Sequence, residues 1–375
     1  MQPFTLLIKP TGSDCNLDCK YCFYKDRALE VGSGRQRMSE EVLEKLIKDY
    51  LQLGFEYSGF SWQGGEPTLM GLEFFKRAVE LQRKYGGGGQ TIANALQTNA
   101  VLLDDDWCRF LHENNFLVGI SIDGPKEFHD YYRKDHGGAG TFDKVMEAIE
   151  NCKKHKVEFN TLILLSSRNV EHADELFDFF VKNGIRYVQL IPCVEIDLQS
   201  GGVADFSITP EQYGKFMCRF FERWYDDGAR AMSIRDFDSI LAFYMTGGHT
   251  LCTYNRRCSQ YIVVEHSGEC FPCDFFVEPK WFLGNILKTP IEKIAASEKK
   301  LDFSRAKQKI GDKCLVCRHL AICRGGCLKD RSLYGANAFD RPSYFCEGYR
   351  QLFDNAIPKF MQLAAAMQTE TGSKR

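Results

Sequence analysis

A chain of 375 residues is long enough for one large domain and a smaller one, and a hydrophobic content of 44% is enough to fill their cores. Lys and Arg number 48 against 50 Asp and Glu, and no basic run is interleaved with aromatics, so a nucleic-acid partner is not indicated. Met1 to Pro10 holds no charged leader, no segment approaches the ~18 apolar residues of a bilayer span, and sixteen cysteines without a secretion signal argue against a disulfide framework; the expected setting is cytoplasmic, with no membrane partner.

In chain order, Thr5 to Lys9 reads as a short β-strand, and Cys15, Cys19 and Cys22 follow at CxxxCxxC spacing. Three thiolates on one loop can converge on one metal centre, but a closed thiolate site needs four ligands, so one position is left open. An iron-sulfur cluster held this way keeps one iron for a ligand that is not protein. The plainer readings are an incomplete zinc site or scattered buried cysteines.

Ser39 then precedes a predicted helix, Glu40 to Leu53, with Val42, Leu43, Leu46, Ile47 and Tyr50 at helical spacing. Further β-favouring runs lie at Tyr57 to Trp62, Thr91 to Leu96, Leu117 to Ile122, Val157 to Leu165 and Tyr187 to Ile191. Each is followed by a helix-period segment: Leu72 to Tyr85, Asp104 to Asn114, Phe142 to Lys154, Val170 to Lys182 and Pro210 to Tyr225. Six strand-helix units predict an α/β fold with a parallel sheet, an open six-unit barrel rather than a closed one of eight. Gly86 to Gly89 reads as a surface turn without function, and Ser233 to Tyr244 as one more helix. The expected boundary lies near residue 235, dividing residues 1–235 from a cysteine-rich remainder, 236–375, that ends in a helix.

Reactive groups of such sheets gather at the carboxyl ends of the strands. Gly64-Gly65-Glu66-Pro67 ends the second strand after Gln63, Gln97-Thr98-Asn99 ends the third, and Ser121-Ile122-Asp123-Gly124-Pro125 the fourth. Taken alone, these are tight turns. After residue 250 come Cys252, Cys258, Cys273, Cys314, Cys317, Cys323, Cys327 and Cys346, eight thiolates that make two four-ligand sites by count, either iron-sulfur clusters or zinc ribbons. Cys108, Cys152, Cys193, Cys218 and Cys270 are expected to be small buried residues, although Cys270, three before Cys273, could compete as a ligand.

The CxxxCxxC run, with aromatic Tyr21 just before its last cysteine, resembles the signature of the radical S-adenosylmethionine enzymes. The resemblance implies a [4Fe-4S] cluster on Cys15, Cys19 and Cys22 whose open iron is chelated by the amino and carboxylate groups of S-adenosylmethionine, and homolytic cleavage to a 5′-deoxyadenosyl radical. It further implies that Gly65 and Glu66 meet the cofactor's ammonium group, that strand ends including Ser121 hold its ribose and carboxylate with Arg133, and that Val194 packs on the adenine side. A guanidinium suits a carboxylate because it offers two parallel donors.

The later cysteines resemble the SPASM extension, which implies two auxiliary [4Fe-4S] clusters, one on Cys252, Cys258, Cys273 and Cys327 and one on Cys314, Cys317, Cys323 and Cys346, three clusters in all. Leu7-Ile8-Lys9-Pro10, Cys22-Phe23-Tyr24, Gln63 to Leu69 and Phe271-Pro272-Cys273-Asp274-Phe275 are most similar to the anaerobic sulfatase-maturating enzymes. That family implies oxidation of a cysteine or serine in a sulfatase polypeptide, at a Cys/Ser-x-Pro-x-Arg type motif, to Cα-formylglycine. Asp274 would be the general base, Tyr24 and Gln63 would lie beside the substrate, and the reductant would be a ferredoxin or flavodoxin. The alternatives are another SPASM peptide maturase, such as one forming thioether crosslinks, and an iron-sulfur electron carrier with no substrate.

Overall fold

Ser39 starts the first helix by accepting the Val42 N–H at 3.3 Å, and α1 (Glu40–Leu51) turns Val42, Leu43, Leu46, Ile47 and Tyr50 into the core. In the computed structural model, which describes residues 2–25, 35–226, 232–333 and 339–372, such amphipathic helices alternate with short apolar strands. The chain divides into two compact units, residues 1–122, 129–160 and 258–304, and residues 123–128, 161–257 and 305–375.

In the first unit β1 (Thr5–Lys9), β2 (Tyr57–Trp62), β3 (Thr91–Thr98) and β4 (Leu117–Ser121) lie side by side and parallel, with Leu7 opposite Ser61, Phe60 opposite Asn94 and Gln97 opposite Gly119. The crossovers include α2 (Leu72–Tyr85) and α3 (Asp105–Glu113), the latter capped by Asp104 on the Trp107 N–H. On the other flank of β1 lies a strand that the sequence reading did not include, β8 (Tyr261–Glu265). It runs parallel to β1 and sets Glu265 opposite Lys9, and β9 (Glu269–Phe271) and β10 (Gly284–Asn285) extend it antiparallel. Ile262, Val263 and Val264 are fully buried, the continuous apolar run of a strand covered on both faces.

In the second unit β5 (Phe159–Leu165, all but its first two residues), β6 (Tyr187–Pro192) and β7 (Ser233–Ile234) are parallel neighbours. Ser233 and Ile234 were expected to open a helix. Instead the Ser233 N–H bonds the Arg186 carbonyl and the pair extends the sheet, so α8 begins only at Arg235 and runs to Thr246. The expected helix from Val170 likewise starts at Ala173, as α6 (Ala173–Lys182), because Asn169 folds back onto the Ser166 N–H and holds a turn there. A helix that was not expected, α4 (Lys126–Tyr132), follows Pro125, and α5, in the first unit, spans Phe142–Lys154 as anticipated. The terminal helix, α9 (Cys346–Gly372), packs on α7 (Pro210–Asp226), where Gly348 and Gly214 allow close approach: a Cβ on Gly348 would lie 2.6 Å from the Pro210 carbonyl oxygen. Among the described residues no helix is long and apolar enough to cross a membrane.

Candidate active site

The cysteine loop leaves the carboxyl end of β1 and is tied down at several points. The Cys15 Sγ accepts from the Leu17 N–H at 3.4 Å and from Asn99 Nδ2 at 3.6 Å, His136 Nε2 lies 3.0 Å from the Cys15 carbonyl, and the Cys22 N–H bonds the Cys19 carbonyl. Burial first, then the negative Glu66 and the neighbouring Cys19 and Cys22, push the Cys15 thiol up to about 12, and burial raises Cys22 too. Thiols this hidden ionise only against a compensating positive centre, which is what an iron-sulfur cluster is to its ligands.

Glu66 is fully buried in the first unit. Its Oε1 accepts from the Thr68 N–H at 3.0 Å and from the Thr68 and Thr98 hydroxyls, each at 2.7 Å, while Oε2 accepts from the Asn99 N–H at 2.7 Å. Burial raises its carboxyl above the usual range despite these donors. All four donors are neutral, so the carboxylate can still accept an ammonium group at Oε2, which fits the amino end of S-adenosylmethionine. Gly64 has φ +117°, and a Cβ on Gly65 would stand 2.0 Å from the Asp14 carbonyl oxygen, so the turn is pressed against the cysteine loop. Gly65→Ala must push these backbones away from each other, an overpacking that costs about 1–3 kcal/mol. We expect S-adenosylmethionine affinity to fall about tenfold, read by equilibrium dialysis; unchanged affinity would contradict the cradle.

Of the other cofactor candidates, Ser121 Oγ accepts from Gln97 Nε2 at 3.2 Å, and the Arg133 guanidinium lies 5.5 Å from the ring centroid of buried Tyr21, which packs edge-on against Tyr132. Val194 belongs to the second unit and is fully buried; Lys329 holds its carbonyl and reaches Glu195 Oε1 at 2.8 Å.

A second polar cluster of the first unit surrounds Asp274, the residue after Cys273. Lys9 Nζ stands 2.6 Å from its Oδ1, and Oδ2 accepts from the Tyr24 hydroxyl at 2.7 Å and from Gln63 Nε2 at 3.2 Å. Lys9 is only 1% exposed, lies 3.1 Å from Glu265 Oε1 and sits 4.7 Å from the Tyr24 ring centroid. One buried ammonium thus joins two carboxylates. The sequence reading brought Asp274, Tyr24 and Gln63 into the site but missed Lys9 and Glu265. Lys9 ends a strand at the edge where reactive groups gather, a usable signal; Glu265 had none, because its strand went unread.

In the second unit Cys314, Cys317, Cys323 and Cys346 line one cavity of about 740 Å³. Burial pushes Cys323 up to about 12 and Cys346 up to about 11, and the neighbouring thiols add to both; four thiols around one cavity are a donor set that fits a cluster. Arg331, 3% exposed, knits the adjoining loops by donating to the carbonyls of Gly325, Lys307, Lys309, Phe339 and Arg324. Arg331→Met would strand these buried carbonyls at about 1–3 kcal/mol each. A clear loss of thermal stability is expected by calorimetry, and an unchanged melting temperature would refute the role.

The other expected ligand set falls in both units. In the first, Cys258 and Cys273 both act electrostatically on buried Lys300, whose ammonium holds the Tyr261 and Pro272 carbonyls. In the second, Lys307 holds the carbonyls of Cys252 and Thr253, and Cys327 follows two glycines at positive φ, Gly325 and Gly326. Cys270 is buried within β9 with its thiol toward the Gly268 carbonyl, inside the sheet, whereas Cys273 lies beyond the strand end. Cys108, Cys152 and Cys193 are buried as expected. Cys218 departs from that expectation: it is half-buried and accepts from Asn355 Nδ2 at 3.5 Å.

Residues 10–180 match the radical SAM superfamily model, and residues 252–318 match SPASM, an iron-sulfur cluster-binding domain. A cysteine-type anaerobic sulfatase-maturating enzyme of Clostridium perfringens (strain ATCC 13124) is 39% identical over 97% of this chain and 99% of its own length. This chain belongs to the anaerobic sulfatase-maturating enzymes. A serine-type member of that family from Bacteroides thetaiotaomicron is 38% identical over 95% of this chain and 90% of its own. A solved structure of anSMEcpe with bound AdoMet and the Cp18Cys peptide superimposes with a TM-score of 0.91 at 38% identity, covering 97% of this chain and all of that one. This anaerobic sulfatase-maturating enzyme therefore has the α/β partial barrel of the radical SAM type followed by a cysteine-rich SPASM domain, and it works with S-adenosylmethionine and iron-sulfur clusters.

Proposed function

We propose that this enzyme oxidises the Cβ of a cysteine or serine in a sulfatase polypeptide to Cα-formylglycine, in the cytoplasm, with a ferredoxin or flavodoxin as electron donor. The observation that carries the proposal is the carboxylate of Asp274, the residue after Cys273, whose Oδ2 accepts from Tyr24 and Gln63 while Lys9 forms an ion pair on its other oxygen. Cys15, Cys19 and Cys22 would hold the first of three [4Fe-4S] clusters, Cys252, Cys258, Cys273 and Cys327 the second, and Cys314, Cys317, Cys323 and Cys346 the third. The radical SAM domain would run to about residue 235 and the SPASM domain from 236 onward, in line with the two family matches. Tyr21, Gly65, Glu66, Ser121, Arg133 and Val194 would bind S-adenosylmethionine.

When bound, the first cluster and S-adenosylmethionine supply the 5′-deoxyadenosyl radical that takes a hydrogen atom from the substrate Cβ, and an auxiliary cluster supplies the acceptor for the second electron. The chain's own role is proton management. Tyr24 and Gln63, which both donate to Asp274 Oδ2, would flank the target side chain, whose thiol or hydroxyl would donate to that oxygen. Asp274 takes this proton as the Cβ is oxidised. Serine then yields the aldehyde directly, while cysteine yields a thioaldehyde that water hydrolyses with release of sulfide.

The reduced enzyme, incubated without oxygen with S-adenosylmethionine and a peptide carrying a Cys-x-Pro-x-Arg or Ser-x-Pro-x-Arg motif, should produce 5′-deoxyadenosine and an aldehyde. The cysteine peptide should exchange its sulfur for oxygen by mass spectrometry. Loss of hydrogen alone with sulfur retained, the mark of a thioether crosslink, would overturn the proposal.

A further inference from the structure

We infer that Thr141 and His129 are positioning residues for Arg133: the Thr141 hydroxyl, held by the His129 ring, fixes the Arg133 carbonyl, so that the guanidinium beside Tyr21 is placed for the carboxylate of S-adenosylmethionine. The inference rests on the reading of Arg133 as a ligand of that carboxylate. Its observation is separate. Within the first unit, a threonine 1% exposed and a fully buried histidine meet at 3.1 Å, and the threonine hydroxyl donates to the Arg133 carbonyl, also at 3.1 Å.

Thr141 stands directly before α5, where a threonine side chain ordinarily accepts from the first N–H groups of its own helix. Here it does not. Asp130 takes over part of that task by accepting the Phe142 N–H at 2.8 Å, and Gly140 makes room for it, since a Cβ there would lie 2.2 Å from the Asp130 carboxyl carbon. The hydroxyl is thereby left to face Arg133. It has a single proton, and giving that proton to the Arg133 carbonyl leaves only lone pairs toward His129, so His129 Nε2 carries a proton and donates. The buried ring thus commits the hydroxyl proton to Arg133.

The cysteine loop holds the same stretch through the neighbouring residues. The Asp18 N–H bonds the Lys134 carbonyl at 2.7 Å, the Lys20 N–H bonds the Tyr132 carbonyl at 3.2 Å, and Leu17 pairs antiparallel with Asp135. The carbonyls on either side of Arg133 therefore go to the loop that carries Cys15, Cys19 and Cys22, while that of Arg133 goes to Thr141. Its N–H bonds the His129 carbonyl at 3.0 Å as α4 ends. The arginine side chain thus starts from a root fixed against the cysteine loop, and its guanidinium comes 5.5 Å from the ring centroid of Tyr21, the residue before Cys22. A guanidinium recognises a carboxylate through two parallel donors, a geometry that tolerates little displacement of that root. Without the Thr141 hydroxyl, a buried carbonyl and a buried imidazole N–H each lose this partner, and the Arg133 turn moves to satisfy them.

The test compares Thr141→Val, which deletes the hydroxyl at nearly constant volume, with Thr141→Ser, which keeps it, and adds His129→Phe, Arg133→Met and the double variant Arg133→Met/Thr141→Val. Three quantities are measured on anaerobically reconstituted enzyme: iron content, affinity for S-adenosylmethionine by equilibrium dialysis, and KM for a cysteine peptide. Thr141→Val should bind S-adenosylmethionine about tenfold more weakly at unchanged iron content and peptide KM, while Thr141→Ser stays within about twofold of wild type. His129→Phe, which lets the hydroxyl turn, should weaken binding in the same direction. Because Thr141 acts through Arg133, the valine substitution should cost little further affinity once Arg133 is replaced by methionine. Equal losses in both backgrounds, wild-type affinity in Thr141→Val or His129→Phe, or a serine variant as weak as the valine one overturns the proposal. So does loss of iron or of folding in Thr141→Val, which makes the role a structural one. If Arg133→Met itself keeps wild-type affinity, the reading of Arg133 fails and the positioning role falls with it; if only Arg133→Met weakens binding, Arg133 stands and the role of Thr141 and His129 is refuted.

Discussion

Replacing Cys15, Cys19 and Cys22 together by alanine should abolish S-adenosylmethionine cleavage and remove about a third of the roughly twelve irons that three [4Fe-4S] clusters hold. The expectation follows from how the loop is built. The Cys15 Sγ accepts two N–H bonds, and its thiol is pushed up to about 12 by burial and by the acid and thiols around it, so its ionisation needs a compensating positive centre such as a cluster. The second thiol cavity lies in the other compact unit, lined by its own four cysteines, so its iron should remain. Iron analysis and electron paramagnetic resonance of the dithionite-reduced variant check this. Retained 5′-deoxyadenosine formation, or loss of all iron together, would show that the first site is neither independent nor the cleavage site. The measurement also separates iron from zinc, since zinc in place of the auxiliary iron would remove the electron acceptor.

Much of this site was legible because its chemistry sits in short, local runs. Three cysteines on one loop, the Gly64 to Pro67 turn and the Cys273-Asp274 pair each carry their meaning within a few residues, and the strand-helix alternation around them has a clear period. Phe142–Lys154 and Leu72–Tyr85 were readable to the residue because each has an apolar stripe of helical period. Long-range pairing was not legible. Tyr261–Glu265 is only five residues long, and nothing local says that its partner is β1, more than 250 positions earlier. That single pairing brings Glu265 to Lys9 and delivers the turn bearing Asp274 to Tyr24 and Gln63, so Asp274, Tyr24 and Gln63 were readable one by one while their grouping with Lys9 and Glu265 was not. Ser233 and Ile234 failed for a related reason, since the short strand they form is held by Arg186 and Tyr187 rather than by any local pattern.

Asp274→Asn should leave the clusters and S-adenosylmethionine cleavage in place and slow formylglycine formation by ~100-fold to ~10,000-fold, the range a positioned base contributes. Asparagine keeps the size of the side chain and one carbonyl oxygen to face Lys9, so the turn after Cys273 should hold its shape. Lys9 does not become a bare buried charge, because Glu265 remains 3.1 Å away. What is lost is the oxygen on which the Tyr24 hydroxyl and Gln63 Nε2 converge. An amide cannot take the thiol or hydroxyl proton, so abstraction from Cβ should proceed to 5′-deoxyadenosine without the aldehyde keeping pace. Mass spectrometry of the peptide against chromatography of 5′-deoxyadenosine gives the ratio directly. Formylglycine at a near wild-type rate, with iron content verified, would refute the assignment of Asp274 and leave Glu265, the second carboxylate on Lys9, as the acceptor to test next.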